Sequence, residues 1–90
     1  MATAPRVLIV DDVPANREGL RRRVEGEGYL VDTAEHGRDA LAKLKEARFD
    51  LVLLDVEMPM MDGPQLLQAL RNDAAYAHLP VIMEIGRAHV

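Results

Sequence analysis

Four short apolar runs punctuate the chain: Val7-Leu8-Ile9-Val10, Tyr29-Leu30-Val31, Leu51-Val52-Leu53-Leu54 and Val81-Ile82-Met83. They are brief, rich in branched residues and bounded by charge, Gly or Pro, which suits strands better than helices. The first and third are apolar at every position instead of alternating. That pattern marks strands covered on both faces, as in a parallel sheet with helices on either side. Between the runs the spacing turns helical. Pro14 suits the first turn of a helix, with Asp12 just upstream as a candidate cap. This helix should carry Leu20 and Val24 inward; Gly19 weakens it, and the segment from Gly26 to Gly28 ends it. A second helix is predicted over about 38–46, with Ala40, Leu41, Leu44 and Ala47 at helical spacing. Pro64 opens a third, with Leu66, Leu67 and Leu70 as its buried stripe. The order β-α-β-α-β-α-β with right-handed crossovers gives an α/β fold with a doubly wound parallel sheet.

The 90 residues allow at most one domain, near the small end of what buries an adequate core. A formal charge of −4 leaves no global basic footprint for nucleic acid, and Arg21-Arg22-Arg23 reads as a solvated helix face between acids. Without cysteine, disulfides and thiolate metal sites are excluded. The apolar runs are too short to span a bilayer, so a soluble cytoplasmic protein with no membrane partner is expected. The histidines His36, His78 and His89 have no metal-ligand spacing and suit loop or surface roles.

In a doubly wound sheet, ligands collect beyond the carboxyl ends of the strands. Asp11 and Asp12 follow the first strand, and Asp55 closes the third. Adjacent strands lie about 5 Å apart, so carboxylates at matching ends would repel one another strongly. A divalent cation among them relieves that repulsion, and a small cleft of hard oxygen ligands suits Mg²⁺. Taken singly, each acid has a plain role: Asp12 caps a helix, Asp11 faces water, Asp55 ends a strand. Their convergence at strand ends favours a site.

The segment Val7-Leu8-Ile9-Val10-Asp11-Asp12, together with Leu53-Leu54-Asp55-Val56-Glu57-Met58-Pro59-Met60-Met61-Asp62-Gly63, resembles the receiver domain of two-component response regulators. The resemblance covers about 6–83. It implies a flavodoxin-like fold with strand order 2-1-3-4-5. It also implies that Asp55 accepts a phosphoryl group from a sensor histidine kinase or phosphotransfer protein. By the same resemblance Mg²⁺ is the cofactor: Asp12 and Asp55 bind it directly, Asp11 through water, and Glu57 through its backbone carbonyl. An oriented carboxylate is a competent nucleophile for phosphoryl transfer, and a metal neutralises charge on the transferring oxygens. Pro59 and Gly63 would shape the loop after Asp55.

The resemblance weakens toward the end of the chain. Receivers normally end the fourth strand with Thr or Ser, then add a helix, a fifth strand opened by Lys, and a final helix. Aligning on the fourth strand puts Ile85 at the hydroxyl position, and the last lysine is Lys45. The expectation is a truncated receiver of strand order 2-1-3-4, lacking the last strand and the last two helices. Its expected parts are a tail at 1–5, a partial receiver at 6–83 and a non-native-looking segment at 84–90. Residues 84–90 back-translate codon by codon as GAG ATC GGA AGA GCA CAC GTC, which resembles a sequencing-library adapter. An apolar fourth strand left at the edge is expected to promote self-association.

Three functions compete. The first is a phosphoacceptor signalling module with no chemistry beyond its own phosphorylation and dephosphorylation. The second is a Mg²⁺-dependent phosphatase with an aspartate nucleophile, which would carry a second acid two residues later on the first strand; here that residue is Val13. The third is a phosphorylation-incompetent fragment or static protein-binding module, favoured by the absent Thr and Lys and opposed by the intact acids.

Overall fold

The computed structural model describes residues 4–55 and 63–84. Their elements are β1 (Arg6–Val10), α1 (Pro14–Gly26), β2 (Leu30–Ala34), α2 (Gly37–Glu46), β3 (Leu51–Asp55), α3 (Gly63–Arg71) and β4 (Val81–Glu84). The strands form one parallel sheet in the order β2-β1-β3-β4. This is the expected α/β, flavodoxin-like arrangement, 2-1-3-4, over the described residues.

β1 is central, and its all-apolar run has the expected cause: Val7, Leu8, Ile9 and Val10 are all buried. Leu8 and Val10 point to one side and join Ala34, Ala40, Leu44, Phe49, Val52, Leu54, Leu66 and Leu70 in a closed core under α2 and α3. Tyr76 packs against that core and donates its hydroxyl to the Leu44 carbonyl at 3.2 Å. On the other side Val7 and Ile9 are buried outside this cluster, where α1 packs against β1 and β2.

That second face is less complete. Leu20 and Val24, expected to point inward, are only half-buried, and no residue of α1 is fully buried. On β3, Val52 and Leu54 are buried while Leu51 and Leu53 are half-buried. The uninterrupted apolar pattern of β3 therefore reports two covered faces where one is fully covered. Ile82, in register with Leu53 and so on the same face, is 51% exposed.

Three local expectations are revised. β2 runs to Ala34, past the apolar residues that marked it, because its pairing with β1 carries the backbone through Asp32 and Thr33 regardless of side-chain polarity. α2 begins at Gly37 because His36 is its N-cap, its ring Nδ1 accepting from the Asp39 amide at 3.2 Å. The N-cap position of α1 falls on Val13, one residue past the Asp12 expected there, and Val13 itself makes no side-chain cap bond. α1 ends as expected, with Glu27 as C-cap and Gly28 at φ 99°, a left-handed conformation that glycine adopts without penalty.

Candidate metal and phosphoacceptor site

The register Val10↔Leu54 brings the next residues, Asp11 and Asp55, side by side at the carboxyl end of the central strands. Both are nearly enclosed, 3% and 5% exposed. Asp12 follows on the β1–α1 turn and is half-buried. One carboxylate oxygen from each of Asp11, Asp12 and Asp55 lies within 4.8 Å of the others. The acids that the sequence singled out thus come together.

The turn carrying the first two is tightly tied. The Asp11 amide donates to the Ala34 carbonyl at 3.1 Å, extending the ladder beyond β1. Its Oδ1 accepts from the Val13 amide at 2.9 Å, the local side-chain turn that Asp favours. Arg17 Nη1 donates to the Asp11 carbonyl at 2.8 Å. Sequence pattern alone did not single out Arg17; the available signal was a long cation one turn into a helix that starts at the acidic strand end.

Two carboxylate charges at such a separation repel by about 3 kcal/mol at an effective dielectric of roughly 20. Asp11 and Asp55 bear this while largely shielded from water. Three hard oxygen donors converging on one point are a donor set that suits Mg²⁺, which takes few protein carboxylates and keeps several waters. A hollow of about 710 Å³ beside Phe49, Tyr76, Leu79 and Pro80 lies at the opposite, amino-terminal end of the sheet and contains none of these acids.

The model of the response regulator receiver domain matches residues 7–88. This chain belongs to that family. Among its relatives, the transcriptional regulatory protein ResD of Bacillus subtilis is 42% identical over 78 residues, 87% of this chain and 31% of ResD. The chemotaxis response regulator CheY4 of Vibrio cholerae superimposes with a TM-score of 0.85 at 41% identity, over 90% of this chain and 68% of that one. TrrA of Thermotoga maritima, solved in complex with Mg²⁺-BeF, superimposes with a TM-score of 0.74 at 32% identity, over 89% of this chain and 86% of TrrA. The chain spans about a third of the length of ResD and of the response regulator MprA of Mycolicibacterium vanbaalenii, and 17% of the response regulator PleD of Caulobacter vibrioides.

Other sequence-marked positions of the receiver lie apart from the acids or outside the described residues. Glu57, expected to offer its backbone carbonyl, is outside them, as are Met58, Pro59, Met60, Asp62, Ile85 and His89. Lys45 sits near the end of α2, beside the hollow at the other end of the sheet. His78 is exposed and lines the same hollow. Among the described residues no helix is long and apolar enough to cross a membrane.

Proposed function

We propose that this receiver is a phosphoacceptor module in which Asp55 takes a phosphoryl group from the phosphohistidine of a sensor histidine kinase or phosphotransfer protein. The observation that carries the reading is the meeting of the Asp11, Asp12 and Asp55 carboxylates at adjacent strand ends. Asp12 and Asp55 would hold Mg²⁺ directly, Asp11 through water, and Glu57 by its backbone carbonyl. The Mg²⁺-BeF complex of the relative TrrA supports that choice of ion.

An Asp55 carboxylate oxygen attacks phosphorus as the phosphorus–nitrogen bond of the donor breaks, and the bonding pair leaves with the imidazole. Bound Mg²⁺ supplies charge neutralisation on the phosphoryl oxygens. Burial of Asp55 limits the directions from which a donor approaches, and the tied β1–α1 turn keeps Asp11 and Asp12 aimed at the same point. The product stays on the protein's own side chain until water removes it, so the domain is a signalling element and not an enzyme acting on a separate substrate.

Incubation with acetyl phosphate and Mg²⁺, read by intact mass and peptide mapping, tests the assignment. The expected result is one added phosphoryl group at Asp55, absent with EDTA and absent in Asp55→Asn. Labelling is expected to be slow, because Ile85 stands where the family places a hydroxyl donor and offers no hydrogen bond to the phosphoryl group. Labelling that persists in Asp55→Asn refutes the reading. A second property, self-association along β4, is supported by the exposed Ile82 on a strand paired on one side among the described residues.

A further inference from the structure

Two of the three clustered carboxylates sit on consecutive residues of one turn, so the direction of a single peptide unit matters. The Asp11–Asp12 peptide is set by the ψ of Asp11 and the φ of Asp12, and the second of these also aims the Asp12 side chain. The Cα register of β1 ends at Val10, and after the Asp11 amide has donated to the Ala34 carbonyl the chain leads into α1. Pro14 opens α1 without an amide hydrogen to donate, and Val13 caps it without a side-chain bond.

Arg17 adds a tie of its own to this turn. Its backbone amide donates to the Val13 carbonyl at 3.0 Å within the first turn of α1. From that anchor its side chain reaches back so that Nη1 donates to the Asp11 carbonyl at 2.8 Å. Meanwhile Asp11 Oδ1 accepts from the Val13 amide at 2.9 Å. Side chain and carbonyl of Asp11 are thus tied to α1 by separate bonds, and the carbonyl bond has a charged donor in a half-buried setting. We propose that Arg17 is a positioning residue for the metal site: it locks the Asp11–Asp12 peptide so that both carboxylates meet the cation already oriented. The inference rests on the Mg²⁺-dependent reading above. It also has a rival within the same geometry, since a guanidinium near the acids repels a divalent cation. Orientation and repulsion predict opposite signs for removal of Arg17.

The test uses the full chain, with Mg²⁺ affinity measured by titration calorimetry and by amide chemical shifts for wild type, Arg17→Met and Arg17→Lys. Melting in EDTA confirms that each variant is folded at the working temperature. Arg17→Met, which keeps length but loses donor and charge, should bind Mg²⁺ about tenfold more weakly, the lower range for loss of a partner that orients a metal ligand. Arg17→Lys, with one compact donor in place of the planar fork, should recover to within about threefold of wild type. At saturating Mg²⁺ the acetyl phosphate labelling rate of Arg17→Met should return to within about twofold of wild type, because a preorganisation loss is repaid on binding. A merely structural role would lower the melting temperature without this split between affinity and rate. Unchanged or tighter Mg²⁺ binding by Arg17→Met overturns the proposal while leaving the phosphoacceptor reading intact. Absence of Mg²⁺ binding by the wild type overturns both.

Discussion

The two faces of the sheet are built from similar residues and end in different states. Under α2 and α3, Leu8, Val10, Val52, Leu54, Leu66 and Leu70 are sealed together with Phe49 and Leu44. Under α1, Val7 and Ile9 are sealed, but Leu20, Val24, Leu51 and Leu53 stay half-buried and Ile82 is 51% exposed. Apolar content does not separate them; coverage does. α1 packs over β1 and β2, so the part of its face formed by β3 and β4 receives less cover. The closed face should therefore carry most of the stability. The acids sit at the rim between the two faces, at the end of strands whose position the closed face holds.

The sharpest test of that contrast compares truncations of one residue type. Leu8→Ala should cost about 3 kcal/mol and Leu20→Ala about 1 kcal/mol, because only the first leaves an enclosed cavity. Urea denaturation reads both. Equal losses would mean that the α1 face is as tightly packed as the other.

The rim should behave in the opposite sense from the core. Asp11→Asn keeps an Oδ1 that can accept from the Val13 amide and removes one charge from the cluster. In EDTA it should melt higher, by the equivalent of about 1 kcal/mol, since part of the carboxylate repulsion disappears. The same variant should lose the stabilisation that added Mg²⁺ gives the wild type. Scanning calorimetry with and without Mg²⁺ checks both, and a lower melt in EDTA would show that the cluster is not under electrostatic strain.

A smaller effect on stability is expected at β4, an edge strand among the described residues. Ile82→Lys should change the unfolding free energy by no more than about 0.5 kcal/mol, because the side chain is already half in water. It should, however, reduce association along β4, visible by sedimentation velocity across a concentration series. Unaltered association would move the contact elsewhere.

The smallest effect belongs to the exposed side of α1. The Arg21 guanidinium hydrogen-bonded to Glu18 holds that carboxyl below its ordinary range, and Arg21 also pairs with Glu25 at 2.9 Å. A carboxyl lowered on folding adds stability above its unfolded pKa and loses it as pH falls through the folded value. Arg21→Ala should slightly flatten the acid limb of stability against pH between those values. Both side chains are exposed, so the change should be the hardest of the four to detect.

Much of the molecule is legible in the residue pattern alone. β1 and β3 are apolar throughout because they are interior strands, and the acids that follow them are conspicuous because charge seldom ends a buried run without a task. Pro14, Pro64 and Gly28 marked boundaries through backbone constraints that act locally. The extension of β2 through Asp32 and Thr33 was not legible, because it depends on a neighbouring backbone that side-chain pattern does not encode. Nor was the Asx turn that Asp11 makes with the Val13 amide, since two adjacent aspartates offer the same chemistry and only the turn geometry chooses between them.

What the sequence determined by itself is the alternation of strand and helix and the identity of the acids, because period, proline and glycine act over a few residues. Tertiary structure decided which acids meet, how deeply each is buried, and that Arg17 holds the carbonyl between two of them. Those outcomes follow from strand order and register, which join residues 44 positions apart at Asp11 and Asp55 and are set by packing across the whole sheet.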